Sequence, residues 1–338
     1  MFDSKRISPL PGYKKVKPFV YAGFFPVSNA DYGALKEAIE KLSLSDAALK
    51  FAPENSPVLG FGFRVGFLGL LHLDIVRERL EREYNLDLVI TNPSTDYKIK
   101  LRNGENLDIQ SASQLPDLSK VATIAEPWVK GEIVVPRIYV GAVIELIVQK
   151  RGVQTSISYL KNSASQTSGE FGGTAELLRD RAIVEFEAPL ANLLTDFYDQ
   201  LKSHTAGYAT YNYEPAGYRV EDLVRVDFLV AGEMVDALSV MCHRSEAVKI
   251  GREIVAKLKE VIPRQNFKVS LQAAIGGKII ARADIGAYMK DVTVKIHTGD
   301  PDRRAKLLDK QKRGKKRMKK FGRVEIPAEA FQVLIRRD

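Results

Sequence analysis

Residues 60–91, GFGFRVGFLGLLHLDIVRERLEREYNLDLVIT, predict a strand, a helix and a second strand in immediate succession. Aromatic and β-branched residues dominate the first part, as is typical of a strand. Over residues 67–84, Leu73, Val76 and Leu80 recur at helical spacing while the opposite face is charged. The closing residues LDLVIT are again typical of a strand. This stretch therefore predicts the second half of a mixed domain with one amphipathic helix.

The first half of that domain lies immediately upstream. The pattern predicts a strand at 17–26, then a helix with apolar residues at helical spacing, then short strands at 47–52 and 58–65. The resulting order, β-α-β-β-α-β, is that of a ferredoxin-like domain, which we place at residues 16–95. Residues 1–15 are predicted to be a linker.

The same order of elements is then predicted a second time. It has a strand at 126–136, a helix from Pro136 that Gly152 stops, two hairpin strands, a helix from Pro189, and the strand YATYNYE. We therefore predict a second ferredoxin-like domain at 121–217, after a linker at 96–120. Its Ser/Gly-rich hairpin tip at 161–181 is predicted to be mobile.

Residues 218–338 are predicted to form a third, different domain. Strands are expected at 224–230 and 235–242, followed by a helix at 245–261. The segment FKVSLQAAIGGKIIARADI then predicts a hairpin that turns at two glycines. The predicted fold class is thus α+β, with two ferredoxin-like domains before a C-terminal α+β domain and a basic, partly helical tail.

That tail is the strongest functional signal in the sequence. Residues 302–323, DRRAKLLDKQKRGKKRMKKFGR, hold twelve Lys or Arg against two Asp, and the net charge of the whole chain is +9. Without this segment the basic and acidic residues nearly balance. A block of like charge favours a polyanionic partner, and nucleic acid gains from counterion release. A membrane surface or simple solvation are the alternatives, but the segment has no continuous apolar face.

No catalytic or metal-binding pattern is apparent. The sequence has no GxxxxGK[ST] loop, and its four histidines are scattered without metal-ligand spacing. His72 is predicted to be an ordinary helix residue, and the single cysteine, Cys242, a small buried one. The glycines of GFGFRVGFLG are interpreted as a tight junction between strand and helix. We expect no enzymatic activity and no cofactor in this chain.

Several segments resemble the elongation factor 4 (LepA) family of translational GTPases. They include GYKKVKPFVYAGFFPVSNADYGALKEAIEKLSLSDAAL (12–49), GFGFRVGFLGLLHLDIVRERLEREYNLDL (60–88), KRGVQT (150–155), VRVDFLVAGEMVDAL (224–238) and LLDKQKRGKKRMKKFGRVEIPAEAF (307–331). The resemblance runs from about residue 10 to the end. It implies that the ferredoxin-like domains correspond to domains III and V of elongation factor G, and that the third is the C-terminal domain particular to this family.

The resemblance also implies a function. Family members are ribosome-associated and are implicated in back-translocation or rescue of stalled elongation. They begin with a GTPase domain and a β-barrel that have no counterpart in this sequence, so GTP and Mg²⁺ are expected only for that other part. The implied partners are the ribosome, with its RNA and proteins, and tRNA. The implied state is a cytoplasmic monomer, with a weak peripheral association at the inner face of the cell membrane left open.

The candidate RNA-binding residues fall into two sets. The basic segment would supply phosphate contacts, which position a protein without reading the sequence of bases: Arg303, Arg304, Lys306, Lys310, Lys312, Arg313, Lys315, Lys316, Arg317, Lys319, Lys320 and Arg323. Secondary candidates, each of which could equally be an ordinary surface residue, are Lys278, Arg282, His243, Arg244, Arg151 and His204.

Two other functions stay open from the sequence. One is the C-terminal half of a factor like elongation factor G or a tetracycline-resistance protein, which the absence of a domain IV argues against. The other is a free-standing RNA-binding or ribosome-docking module without a GTPase.

Overall fold

The computed structural model describes residues 18–160, 180–194, 196–288, 301–321 and 329–332, with single positions at 290, 292, 324, 326 and 327. The predicted hairpin tip at 161–181 lies almost wholly outside these residues, as does the N-terminal linker.

The first unit has the predicted β-α-β-β-α-β order. Its sheet has the strand order β2-β3-β1-β4 with antiparallel neighbours. This is the ferredoxin-like arrangement, so the prediction of that fold is confirmed. The elements are β1 (Val20–Pro26), α1 (Tyr32–Ser45), β2 (Lys50–Ser56), β3 (Gly60–Phe67), α2 (Leu70–Tyr84) and β4 (Leu88–Ile90).

Of the glycines quoted above, only Gly69 lies at the junction before the helix. Gly62 and Gly66 lie inside β3, and a Cβ on Gly62 would lie 2.4 Å from the carbonyl oxygen of Phe24. They are needed because the chains approach closely within the sheet. Gly69 occupies the junction, immediately before α2.

His72 has the predicted structural role. Its Nε2 lies 2.6 Å from Oδ2 of Asp46, and its Nδ1 accepts a hydrogen bond from the Leu68 amide.

The second unit repeats the topology with an added hairpin. It comprises β5 (Tyr97–Leu101), β6 (Asn106–Ile109), β7 (Val121–Pro136), α3 (Val140–Gln149), β8 (Val153–Leu160), β9 (Arg181–Pro189), α4 (Leu190–Leu193), α5 (Phe197–His204) and β10 (Thr210–Val220). The order β10-β7-β9-β8 is again ferredoxin-like.

The prediction of a linker at 96–120 was wrong. These residues form β5 and β6, and β5 pairs with the first residues of β7. In β5, Tyr97 and Ile99 are buried while Lys98 and Lys100 are exposed. This two-residue alternation is the pattern of a half-buried strand. The helix predicted from Pro189 is also two helices, because Asp196 leaves helical geometry at φ −137° before α5 begins.

The third unit is a sheet covered by one long helix. It comprises β11 (Leu223–Val230), β12 (Glu233–Met234), β13 (Val240–His243), α6 (Ala247–Val261), β14 (Val269–Ile275), β15 (Lys278–Ile285), α7 (Pro301–Phe321) and α8 (Glu329–Gln332). The strand predicted at 235–242 is interrupted by a 3-10 turn at Asp236–Leu238, so β12 and β13 are separate. Cys242 is buried, as predicted.

Candidate nucleic-acid interface

The basic segment forms a helix, α7, of 21 residues. At about 1.5 Å per residue such a helix is roughly 30 Å long. Its described basic side chains are exposed except for Lys315, which is half-buried; the exposed ones are Arg303, Arg304, Lys306, Lys310, Lys312, Arg313 and Arg317. Lys316, Lys319 and Lys320 belong to the helix, but their side chains lie outside the described part, as does all of Arg323.

The charge of α7 is barely compensated within the helix. Its acidic residues are Asp302, in the first turn where it suits the helix dipole, and Asp309. Nη2 of Arg313 lies 2.7 Å from Oδ2 of Asp309, and both side chains are largely exposed. An exposed ion pair one helical turn apart contributes little to stability. The helix therefore exposes a strongly positive surface to the solvent.

One contact within α7 and a set of buried residues after it attach the helix to the rest of the protein. Nε2 of Gln311 donates a hydrogen bond of 2.7 Å to the carbonyl oxygen of Lys290. After the helix, Val324 and Ile326 are partly buried against the third unit, and Ala330 and Phe331 are fully buried. Phe331 shares its hydrophobic cluster with residues of β4 and α6. The short helix α8 is thus anchored where the first and third units meet.

Gly314 is a weak point in α7 that can be tested. A Cβ at this position would meet nothing within 4 Å, and glycine disfavours a helix interior by up to about 1 kcal/mol relative to alanine. We expect Gly314→Ala to raise the helix content measured by circular dichroism without weakening RNA binding. Gly251→Ala in α6 is the matched control: its Cβ would lie 3.1 Å from Ala273 and from Ile280. The Gly251→Ala variant should lose stability. A loss of stability in Gly314→Ala as well would contradict the conclusion that the helix surface at Gly314 is open.

Two secondary candidates lie on the edge strand β15. Lys278 and Arg282 are exposed, but Nη2 of Arg282 lies 3.2 Å from Oδ1 of Asp284, which also pairs with Lys268 at 2.9 Å. These hydrogen bonds, first that from Lys268, lower the pKa of Asp284. Arg282 is therefore partly neutralised, whereas Lys278 presents its charge.

Two candidates at the end of β13, His243 and Arg244, make local hydrogen bonds. Nε of Arg244 donates a 2.7 Å hydrogen bond to Oδ2 of Asp222, which lowers the pKa of that carboxyl. Nδ1 of His243 lies 2.7 Å from the hydroxyl of Ser245. His204 is exposed at the end of α5.

The surroundings of Arg151 argue against the prediction that it binds RNA. Its side chain is 15% exposed, and Nη2 lies 2.7 Å from Oε1 of Glu126 and 3.7 Å from Oε2 of Glu221. Arg151 lies just after α3 with φ +61°, in the left-handed region. Gly152 does not supply the left-handed residue; its Cβ would lie 2.7 Å from Ile147, so it allows close approach instead. Arg151 is an internal counterion.

Arg151 and Glu126 line a cavity of about 660 Å³ where the three units meet. The walls also carry the buried pair of Arg64 and Glu54. Because these cations have carboxylate partners inside the protein, they are not available to an external polyanion. The sequence did not predict this cavity or its ion pairs, because in the sequence Glu126 is only the first residue of EPWVK.

Within the described residues, no helix is long and apolar enough to cross a membrane. The same residues contain no cluster of three or more His, Cys, Asp or Glu side chains placed to hold a metal ion.

Two ferredoxin-like units are followed by a third with an exposed basic helix, and sequence comparison identifies this arrangement as part of a translation elongation factor. The family model for the elongation factor G C-terminus matches residues 161–227, and the model for the GTP-binding protein LepA C-terminus matches residues 230–336. The matched segments cover parts of the second and third units.

Curated relatives specify the family. The chain is 51% identical over 336 residues to elongation factor 4 of Limosilactobacillus reuteri (strain DSM 20016), which covers 99% of this chain and 52% of the relative. It is 53% identical over 328 residues to elongation factor 4 of Lactobacillus acidophilus, covering 97% and 51%. The chain belongs to the elongation factor 4 (LepA) family, and it spans about half the length of the curated relatives it matches.

A crystal structure of a Thermus thermophilus protein overlaps 64% of this chain and 43% of its own, at 17% identity and a TM-score of 0.37. That similarity is too low to support any conclusion.

Proposed function

We propose that this chain is the ribosome- and tRNA-binding C-terminal portion of a factor that acts in back-translocation or in rescue of stalled elongation. Binding of GTP with Mg²⁺ and its hydrolysis would reside in the part of the longer relatives that this chain does not span. The chain itself would act in the cytoplasm as a monomer and catalyse no reaction. Its weak peripheral membrane association stays a prediction.

The observation that carries the proposal is the excess of exposed positive charge on α7. Elsewhere in the described residues many exposed cations have a carboxylate within 4 Å, as Arg79, Arg82 and Arg244 do. On α7 the cations far outnumber the acids, and they surround the helix. Such an array gains affinity for phosphates by releasing counterions, and it recognises a backbone with little dependence on base sequence.

The proposal is tested by changing Lys310, Lys312 and Arg317 to glutamine together. All three side chains are exposed, and glutamine is nearly as good a helix former as lysine. Loss of three phosphate contacts should weaken binding to 70S ribosomes roughly 50- to 100-fold at about 0.15 M salt. The slope of log K against log salt should become shallower by about 2 to 3. Cosedimentation across a salt series measures both.

The control changes Lys36, Lys41 and Lys50 to glutamine, which removes the same charge from exposed positions of the first unit. It should leave ribosome binding nearly unchanged. Equal losses in both variants would show that only net charge matters and would contradict a specific role for α7. A free-standing RNA-binding module remains the alternative function; it would bind isolated RNA as tightly as ribosomes.

A further inference from the structure

One end of the second unit gathers aromatic and basic side chains that the basic helix does not involve. Strands β7 and β8 finish at this end, and β9 and β10 start there, because of the antiparallel pairing. Arg137 follows β7, Arg181 opens β9, and Lys202 lies in the last turn of α5. All three side chains are exposed.

Two tyrosines from different segments stack at this end. The rings of Tyr139 and Tyr208 have centroids 6.4 Å apart and are inclined by only 16°. Tyr208 is 56% exposed while Tyr139 is half-buried, so the inner ring supports the outer one. Beside them, the guanidinium of Arg137 lies 5.3 Å from the ring centre of Tyr159, which is also exposed. An exposed aromatic face backed by a second ring is a platform on which a planar group can stack.

The cations of this end differ from those on the neighbouring sheet surface. On that surface Arg219 pairs with Glu187, and Lys130 lies 3.6 Å from Glu185. Among the ion pairs of the described residues, none involves Arg137, Arg181 or Lys202. Their charges are therefore available to an anion at this end of the unit.

We propose that this end binds an unpaired RNA base, stacked on the exposed face of Tyr208, with the neighbouring phosphates held by Arg137, Arg181 and Lys202. Base stacking on aromatic rings beside a basic groove is how proteins hold single-stranded nucleic acid. A duplex cannot use the platform, because its bases are already stacked on each other. The inference rests on the proposed function in that the partner is RNA. It adds a second site, which prefers unpaired RNA, whereas α7 binds phosphates of paired and unpaired RNA alike.

The test compares two fluorescein-labelled probes by anisotropy: a 12-nucleotide RNA without self-pairing and a 12-base-pair RNA duplex. The wild-type chain should gain from the platform only with the unpaired probe. Tyr208→Ala should weaken binding of that probe by about 5- to 150-fold, the usual range for one stacked base, and leave duplex binding unchanged. Tyr208→Phe should keep the preference, since the ring and not the hydroxyl stacks.

Tyr288→Ala is the matched control, because Tyr288 is a similarly exposed tyrosine at 60%, on the third unit. It should bind both probes like the wild type. Equal binding of the unpaired probe by Tyr208→Ala and wild type would overturn the inference, as would parallel losses on both probes. The triple α7 variant should instead weaken both probes alike, so failure of the α7 proposal and failure of the platform give different results.

Discussion

Replacing Phe331 by alanine is expected to lower the free energy of unfolding by about 3–5 kcal/mol, the usual cost of removing a buried aromatic ring. The side chain is 1% exposed, and it packs in a cluster that includes Phe25 and Val89 of the first unit together with the core of the third. The cavity would lie between two units, so the loss should also loosen the attachment of the segment that follows α7.

Urea unfolding followed by circular dichroism measures this effect. Leu308→Ala is the control, because Leu308 lies on α7 with 43% of its side chain exposed, and its truncation should cost about 0.5 kcal/mol or less. Trp128, the only tryptophan, lies in β7 of the second unit, so its fluorescence reports unfolding away from the altered site. An unchanged midpoint in Phe331→Ala would show that α8 does not pack against the first and third units.

Local periodicity was sufficient to predict both ferredoxin-like units. The helix stripe of Leu73, Val76 and Leu80 is buried as expected. In the hairpin of β5 and β6, the strands are short and lie among polar residues, so the periodicity of their apolar residues was not recognised. The two-residue alternation at Tyr97 and Ile99 was present in the sequence but extends over few residues. A strand this short is decided by the partner strand it meets, which a local pattern does not reveal.

The candidate site likewise has one part that could be predicted from the sequence and one part that could not. In a run of like charge such as α7 the basic residues far outnumber the acidic ones beside them, so its exposure could be predicted from the sequence. A single arginine is different, because its role depends on which carboxylate the fold places beside it. Arg151 meets Glu126 across the fold, and the stacking partners Tyr139 and Tyr208 come from segments of the second unit that are far apart in the sequence. Neither pairing leaves a sequence pattern.

Arg151→Met is expected to lower the free energy of unfolding by about 3–5 kcal/mol, because it leaves the buried carboxylate of Glu126 without its counterion. Glu126 is 1% exposed, and Arg151 is its closest cation. Methionine keeps a side chain of similar length at φ +61°, so the backbone is not altered. Arg244→Met is the control: that arginine lies at the same 2.7 Å from Asp222, with both side chains more than half exposed. An exposed pair contributes below about 1 kcal/mol.

The pH dependence identifies the mechanism. Burial raises the pKa of Glu126, the hydrogen bond from Arg151 lowers it, and the nearby Glu221 and Glu246 raise it further. A carboxyl whose pKa is higher in the folded state stabilises the fold below its unfolded pKa, and this contribution is lost as pH rises through the folded pKa. In Arg151→Met the pKa of Glu126 should rise further, so the destabilisation should be largest near pH 8 and shrink towards pH 5. Adding Glu126→Gln should remove that pH dependence and restore part of the stability. A deficit that is the same at every pH would mean that the arginine acts by packing rather than by its charge.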